Sequence, residues 1–283
     1  MSVRSAAPRL PRLRPMTVAG YALLIIVAAF YLLPIYVLLV TSLKSFTEVS
    51  HTTPWQLPAA PTLEPYAAAI EKLLPNFINT VELVVPATLL SALLGSLNGY
   101  VLSKWRFRGA DLLFTLLLFG MFIPYQSILI PLVLTLQKIG LYGGIPGLVL
   151  VHVVYGIPIC TLIFRNYYAA IPNEVLEAAR IDGATVLGIY RRILIPLSIP
   201  GFVVVLIWQF TSIWNEFLFA LVIVSDPDQQ PITVALNSLA GSLLAQYQIQ
   251  MAGALLTALP PLVIYILLGR YFIRGLLAGS LKG

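Results

Sequence analysis

Trp208, Gln209, Asn215 and Glu216 lie close together in an otherwise apolar stretch of the chain. Sugars present apolar C–H faces and hydroxyls at once. An aromatic ring can cover the first, while amide and carboxylate oxygens accept hydrogen bonds from the second. Gln126, after Pro124-Tyr125, and Asn98 are further candidates to line a polar passage. Ionisable residues inside apolar stretches are functional candidates by default, because charge in hydrocarbon is costly. Glu82 and Glu216 are the acidic residues of this kind; the bland alternative is that each reaches the interface or pairs with a neighbouring helix. His152 reads as a packed, hydrogen-bonded histidine rather than a ligand. Enzyme chemistry has little support. There is no H-E-x-x-H and no G-x-S-x-G, and the histidines, His51 and His152, fall in different segments. The five lysines follow Leu43, Glu71, Ser103, Gln137 and Leu281, so none completes a G-x-x-x-x-G-K-[ST] phosphate cradle. A single cysteine, Cys160, excludes internal disulfides and reads as packing.

The elements that must position these groups are membrane spans. The chain of 283 residues is 59% hydrophobic and 10% charged, against about 25% charged in ordinary soluble domains. A soluble fold of that composition would expose large apolar patches. A helix needs ~20 apolar residues to cross ~30 Å of hydrocarbon. Six stretches qualify: about 18–40, 79–102, 112–136, 145–168, 197–223 and 252–273. The first is too long for a secretory signal and reads as an uncleaved anchor. Basic residues orient the whole. Of the 17 lysines and arginines, 14 fall on one side, in the N-terminal tail, the second and fourth connections and the C-terminal end. Lys44, Lys72 and Lys138 fall on the other. Both termini are therefore expected in the cytoplasm. Topology explains the net charge of +6, so no nucleic acid is needed, although the Arg-rich tail suits anionic lipid. The domain reading is a basic tail (1–17), a first span with a Pro-rich external connection (18–78), a five-span core (79–273) and a second tail (274–283). Pro54, Pro58, Pro61, Pro65 and Pro75 limit the external connection to short elements.

Between the fourth and fifth spans lies a polar cytoplasmic segment, 165–196. Pro172-Asn173 supplies an N-cap before a short helix, with Glu174 and Glu177 near the positive end of its dipole. Ala178, Ala179 and Ile181 give a small, smooth face. Asp182-Gly183 ends the helix, since glycine takes the left-handed position freely. Thr185 caps a second helix, 186–195, and Pro196 closes it before the fifth span. A helix–glycine turn–helix on the membrane surface is either a docking element or an ordinary amphipathic hairpin.

The spacing favours docking. Glu177-Ala178-Ala179, three residues, Gly183, nine residues, Ile193, two residues, Pro196 resembles the cytoplasmic signature of ABC importer permeases, with Ile195 where leucine is usual. Asn79-Thr80-Val81, Lys104 to Gly109, Ile123-Pro124, Trp214 to Phe217 and the tail from Arg270 to Gly283 are similar to carbohydrate importer permeases, especially the second permease of maltose and glucose/mannose systems. Residues 147–152 and 230–237 lean toward the glucose/mannose branch.

That resemblance implies an all-α membrane protein, a type I ABC importer transmembrane domain of six helices in a prokaryotic inner or plasma membrane. It implies three kinds of partner: an ATPase dimer that uses ATP and Mg, a second six-helix permease, and an extracytoplasmic sugar-binding protein. Glu174, Glu177, Ala178, Ala179, Asp182, Gly183, Ile193 and Pro196 would couple to the ATPase. Gln126, Trp208, Gln209, Asn215 and Glu216 would border the substrate, a glucose- or mannose-like monosaccharide or a maltose-like oligosaccharide. The chain itself would carry no cofactor, metal or catalytic residue. The rival reading is a proton-coupled secondary transporter using Glu82 and Glu216.

Overall fold

A computed structural model of the chain describes residues 15–105, 107–241 and 246–280. The tail arginines Arg4, Arg9, Arg12 and Arg14, together with Arg106 and Lys282, lie outside these residues. The described residues are helical and form no strands. α1 (Pro15–Ser42) and α2 (Phe46–His51) precede α3 (Glu64–Lys104). Next come α4 (Ala110–Phe119), α5 (Leu129–Lys138) and α6 (Ile145–Ala169). The segment at 165–196 holds α7 (Asn173–Ile181), α8 (Val186–Ile189), a π-helical turn (Tyr190–Leu194) and α9 (Ile195–Leu197). α10 (Ile199–Trp214), α11 (Leu218–Ile223), α12 (Ile232–Ala240) and α13 (Tyr247–Ser280) complete the chain.

Four helices are long and apolar enough to cross a membrane: α1, α3, α6 and α13. Two bent pairs bring the number of spans to six when each pair is taken as one. The all-α, six-span class is borne out, but three spans depart from straight rods. α3 has 41 residues, roughly 60 Å at ~1.5 Å per residue, about twice the hydrocarbon thickness. Its helix begins at Glu64, so the external connection ends near Leu63 rather than at residue 78. Pro75 lies inside the helix, where an interior proline costs ~3 kcal/mol. Tertiary contacts offset that cost. Ala69 packs with Ile249 and Ala252 of α13. Asn76 Nδ2 donates to the carbonyls of Pro227 (2.9 Å) and Gln230 (2.8 Å), and Asn79 Nδ2 donates to that of Asp228 (2.7 Å).

The third span breaks at Phe122–Tyr125, where its two halves meet at 91°. Pro124 has no N–H to continue the ladder. The fifth span is bent by 78° at Ser198, between Pro196 and Pro200. Ser198 Oγ donates to the carbonyl of Leu194 at 2.6 Å, which also accepts from the Ser198 N–H at 2.9 Å, so the bend is pinned on one carbonyl. α10 stops at Trp214, and the sequence-predicted span to residue 223 continues only after a turn, as α11.

α3 packs along α6 more extensively than any other helix pair. Glycine makes this possible. A Cβ on Gly95 would collide with Cys160, and one on Gly99 would sit 2.7 Å from Phe164 Cβ and 2.8 Å from the Arg165 backbone nitrogen. Lipid is as apolar as the side chains, so close van der Waals packing replaces the hydrophobic effect as the force between helices. Cys160 is fully buried in this seam, as packing required. One cluster around Leu83, Val84, Leu148, Val151, Trp214 and Phe219 fills the half of the bundle nearer Glu64. A second, around Tyr100, Phe164, Tyr168, Leu176, Tyr190 and Leu194, fills the Lys104 end.

Gly99→Leu is therefore expected to destabilise the bundle by at least ~1–3 kcal/mol through overpacking against backbone that cannot yield. Gly20→Leu, in open space on α1, is expected to be neutral. Thermal unfolding of the two purified variants, with membrane accumulation as a second readout, checks the contrast.

Candidate functional site

The segment at 165–196 forms the expected hairpin, with two corrections. Gly183 sits at φ +81°, in the left-handed region, at the turn. The N–H of Ala184 donates to the Ala179 carbonyl at 2.9 Å and that of Gly183 to Arg180 at 3.0 Å, closing the helix end. Thr185 Oγ1 accepts from the Gly188 N–H at 3.1 Å and caps α8. The first correction concerns Asn173, which begins α7 instead of capping it; Pro172 occupies the cap position. The Asn173 carboxamide accepts from Lys104 Nζ at 2.9 Å, and the same ammonium donates to the Ile171 carbonyl. The end of α3 thus holds the start of the hairpin, a long-range contact that local capping rules miss.

The second correction concerns the face. Ala179 and Leu176 turn inward and are buried. Glu174, Glu177, Ala178, Asp182 and Gly183 remain exposed, and Ile181 is 88% exposed. The hairpin therefore has an anchored side and a presented side. Ile193 is partly buried and packs against the inner core, while Pro196 is exposed. Beside the presented side lies a depression of ≈ 470 Å³ bordered by Lys104, Trp105, Asn173, Glu177 and Arg180.

The second helix is not a uniform α-helix over 186–195. Its middle is the π-helical turn at Tyr190–Leu194. Such turns mark places where a side chain is re-aimed, and here Tyr190 points into a buried polar cluster. Tyr190 OH donates to Ser96 Oγ at 2.9 Å. Ser96 Oγ also lies 2.6 Å from Tyr168 OH, which lies 3.3 Å from Ser198 Oγ. The Tyr190 ring stacks on Tyr100 with centroids 5.9 Å apart. Hydroxyls from α3, α6, the π turn and the bend at Ser198 thus meet at one point inside the apolar core.

The second assembly is a cleft of ≈ 530 Å³ between α6, α10, the turn after α10 and the break in the third span. Trp208, Gln209, Asn215 and Glu216 line it together. Gln126 does not; its neighbour Tyr125 does. Asn98 and Glu82 are also absent from its walls. His152, Tyr155 and Ser212 line it without having been singled out as pathway residues. Only the apolar periodicity of α6 could have placed His152 and Tyr155 on one side, and that pattern does not say what they face.

Several lining groups have structural duties. Glu216 Oε1 accepts from the Phe219 N–H at 2.7 Å and Oε2 from the Ala220 N–H at 3.2 Å, so the carboxylate caps α11. The Glu216 carbonyl accepts from Thr233 Oγ1 at 2.9 Å. Asn215 Nδ2 donates to the Thr211 carbonyl at 2.8 Å and closes α10. Gln209 is 4% exposed, with Nε2 3.4 Å from Ser91 Oγ. Gly156 is what admits it, since a Cβ there would collide with the Gln209 amide. His152 is packed as expected, but its Nε2 lacks the expected hydrogen bond and stands 3.7 Å from Glu216 Oε2.

Among the described residues there is no group of three or more metal-ligating side chains. Comparison with known proteins places the chain in a family. Residues 85–277 match the binding-protein-dependent transport system inner membrane component.

The chain belongs to this family of transport permeases.

The permease is 48% identical to a probable ABC transporter permease protein of Pyrococcus horikoshii, over 96% of this chain and 99% of that one. It is 36% identical to the xylose/arabinose import permease XacI of Haloferax volcanii, covering 92% and 91% of the two chains. To the glucose import system permease GlcU of Saccharolobus solfataricus it is 33% identical, covering 96% and 99%. In fold, it matches a chain of a bacterial ABC transporter involved in the import of the acidic polysaccharide alginate, with a TM-score of 0.79 at 22% identity over 93% of this chain and 100% of that one.

Tyr168→Phe is expected to cost about 1 kcal/mol, the size of a typical net hydrogen bond. Ser96→Ala should not add fully to it, because the two hydroxyls share one network. A double-mutant cycle on thermal unfolding measures the coupling; strict additivity is the contrary result.

Proposed function

We propose that the chain is one permease half of an ATP-driven, binding-protein-dependent carbohydrate importer, coupled to a separate ATPase through the hairpin at 165–196. The observation that carries the reading is the two-sidedness of that hairpin. Leu176, Ala179, Ile189, Tyr190 and Leu194 fix it to α3 and α6. Glu177, Ala178, Ile181 and Gly183 are exposed, and among the described residues no hydrophobic core cluster covers Ile181 at the tip. A partner groove that closes on this tip gives Ile181 its burial, and Glu177 then acts as a contact rather than a reactive group.

The remaining parts follow from the family. A second six-helix permease completes the pathway, and an extracytoplasmic sugar-binding protein delivers the solute. The ATPase dimer supplies ATP and Mg chemistry that the chain's own sequence lacks a motif for. ATP draws the two ATPase subunits together, and each carries its docked hairpin with it. Because the hairpin is bonded into the α3–α6 core, the pull moves packed helices as rigid bodies, switching access from one side to the other. The distribution of basic residues supports a cytoplasmic position for both termini. A carbohydrate substrate is supported by relatives named for glucose and for xylose/arabinose import. Proton-coupled transport draws no support from Glu216, whose carboxylate is occupied by two backbone N–H groups, or from Glu82, which stands apart from the cleft.

Gly183→Asp puts a side chain on a left-handed residue, and Glu177→Lys reverses the charge of the presented face. Both are expected to insert in the membrane normally, to lose the ATPase on co-purification and to stop uptake. Undiminished uptake in both variants, or uptake by the isolated chain that an uncoupler abolishes and ATP does not affect, overturns the reading.

A further inference from the structure

The geometry points to a neutral-sugar subsite within this chain itself, in the cleft between α6, α10 and Tyr125. The inference rests on the carbohydrate reading above and narrows it. The cleft falls within the roughly 300–1,000 Å³ typical of small-molecule sites. One side is aromatic. The Trp208 indole is 52% exposed, and Tyr125 and Tyr155 both pack on the Phe219 ring at centroid distances of 5.1 and 5.2 Å. Such faces match the C–H surface of a pyranose. The polar side offers Gln209, Ser212, Asn215 and Glu216.

Charge selects the class of sugar. No lysine or arginine lines the cleft, and its single carboxylate is Glu216. An acidic sugar would meet that carboxylate with no compensating cation. A cationic solute would have to compete with the backbone N–H groups that Glu216 already serves. Neutral hydroxyls have neither difficulty.

An independent observation also points to a ligand. His152 is 6% exposed, and its Nε2 is the buried side-chain nitrogen of the cleft wall with no hydrogen-bond partner. Leaving such a group unpaired costs ~1–3 kcal/mol. Its 3.7 Å separation from Glu216 Oε2 is too long for a direct bond. A hydroxyl set between them satisfies both when the imidazole carries its proton on Nε2, because it donates its one hydrogen to the carboxylate and accepts from Nε2–H. Trp208 then covers the sugar face, exposed Asn215 takes an outer hydroxyl, and the His152–Glu216 gap takes one at the base.

The test uses cells in which the gene is replaced by each variant, with uptake of labelled D-glucose, D-xylose, maltose and D-glucuronate as probes and co-purification of the ATPase as the check on assembly. Uptake of at least one neutral sugar and not of glucuronate is expected. Trp208→Ala should lower that uptake about tenfold or more, as loss of a contact made during passage does, with the ATPase still bound. Trp208→Phe, which keeps a ring, should retain most of the rate. Wild-type uptake in Trp208→Ala, equal loss in both variants together with loss of the ATPase, or preference for glucuronate overturns the subsite. Among these results, a normal Trp208→Ala beside an inactive Gly183→Asp removes the subsite alone. Absence of uptake for all four sugars in the wild type removes the carbohydrate reading and the subsite together.

Discussion

The close approach of α3 and α6 is the contact from which the rest of the molecule is built. It depends on Gly95 and Gly99, which present bare backbone to Cys160 and Phe164. In lipid no hydrophobic effect draws helices together, so a seam without protruding side chains gains its strength from dispersion over a long contact. Both functional assemblies hang on that seam. The Lys104 end of α3 and the lower part of α6 hold the hairpin through Lys104, Ser96 and Tyr168. Higher on α6, Gly156 admits Gln209 of α10 beside Ser91 of α3 and so sets one wall of the cleft.

Polar groups within the span region follow a consistent logic. At several helix ends and bends a nearby side chain bonds to backbone, which lipid cannot do. Ser198 serves the bend before α10, Asn215 its end and Glu216 the start of α11, while Thr80 Oγ1 accepts from the Ile232 N–H at the start of α12. Glu216 therefore illustrates how an acid in the span region can be structural and still line a cleft. Its position is determined by the α11 cap, and the cap holds it beside His152. The broken helices are not defects; they put Tyr125 and the turn after Trp214 where side chains can reach a solute.

Mechanical coupling asks for stiffness, and the Tyr–Ser cluster supplies it where stiffness matters. The hairpin begins where α6 ends at Ala169 and runs to Ser198 before α10, and hydroxyls from both sides of it meet at Ser96 and Tyr168. A pull on the tip reaches α3 and α6 through hydrogen bonds and the stacked Tyr100–Tyr190 pair rather than through a loose loop. The π turn orients Tyr190 for that role.

The sequence by itself determined the membrane class, the number of apolar stretches, the side on which basic residues collect and the spacing from Glu177 to Pro196. These are one-dimensional properties: hydrocarbon thickness sets a length, charge sets a side, and a glycine at a left-handed turn is marked by its neighbours. Trp208, Gln209, Asn215 and Glu216 were legible as a group because they share one short segment, although the segment is bent and interrupted. Only the tertiary structure decided that α3 runs straight through Pro75, that Ala179 faces inward while Ala178 faces out, that Asn173 answers Lys104, and that Tyr125 rather than Gln126 joins the cleft. Each of these depends on a partner far away in the chain. Contact between distant residues can outweigh local propensity by a few kcal/mol, and no local pattern records which partner that will be.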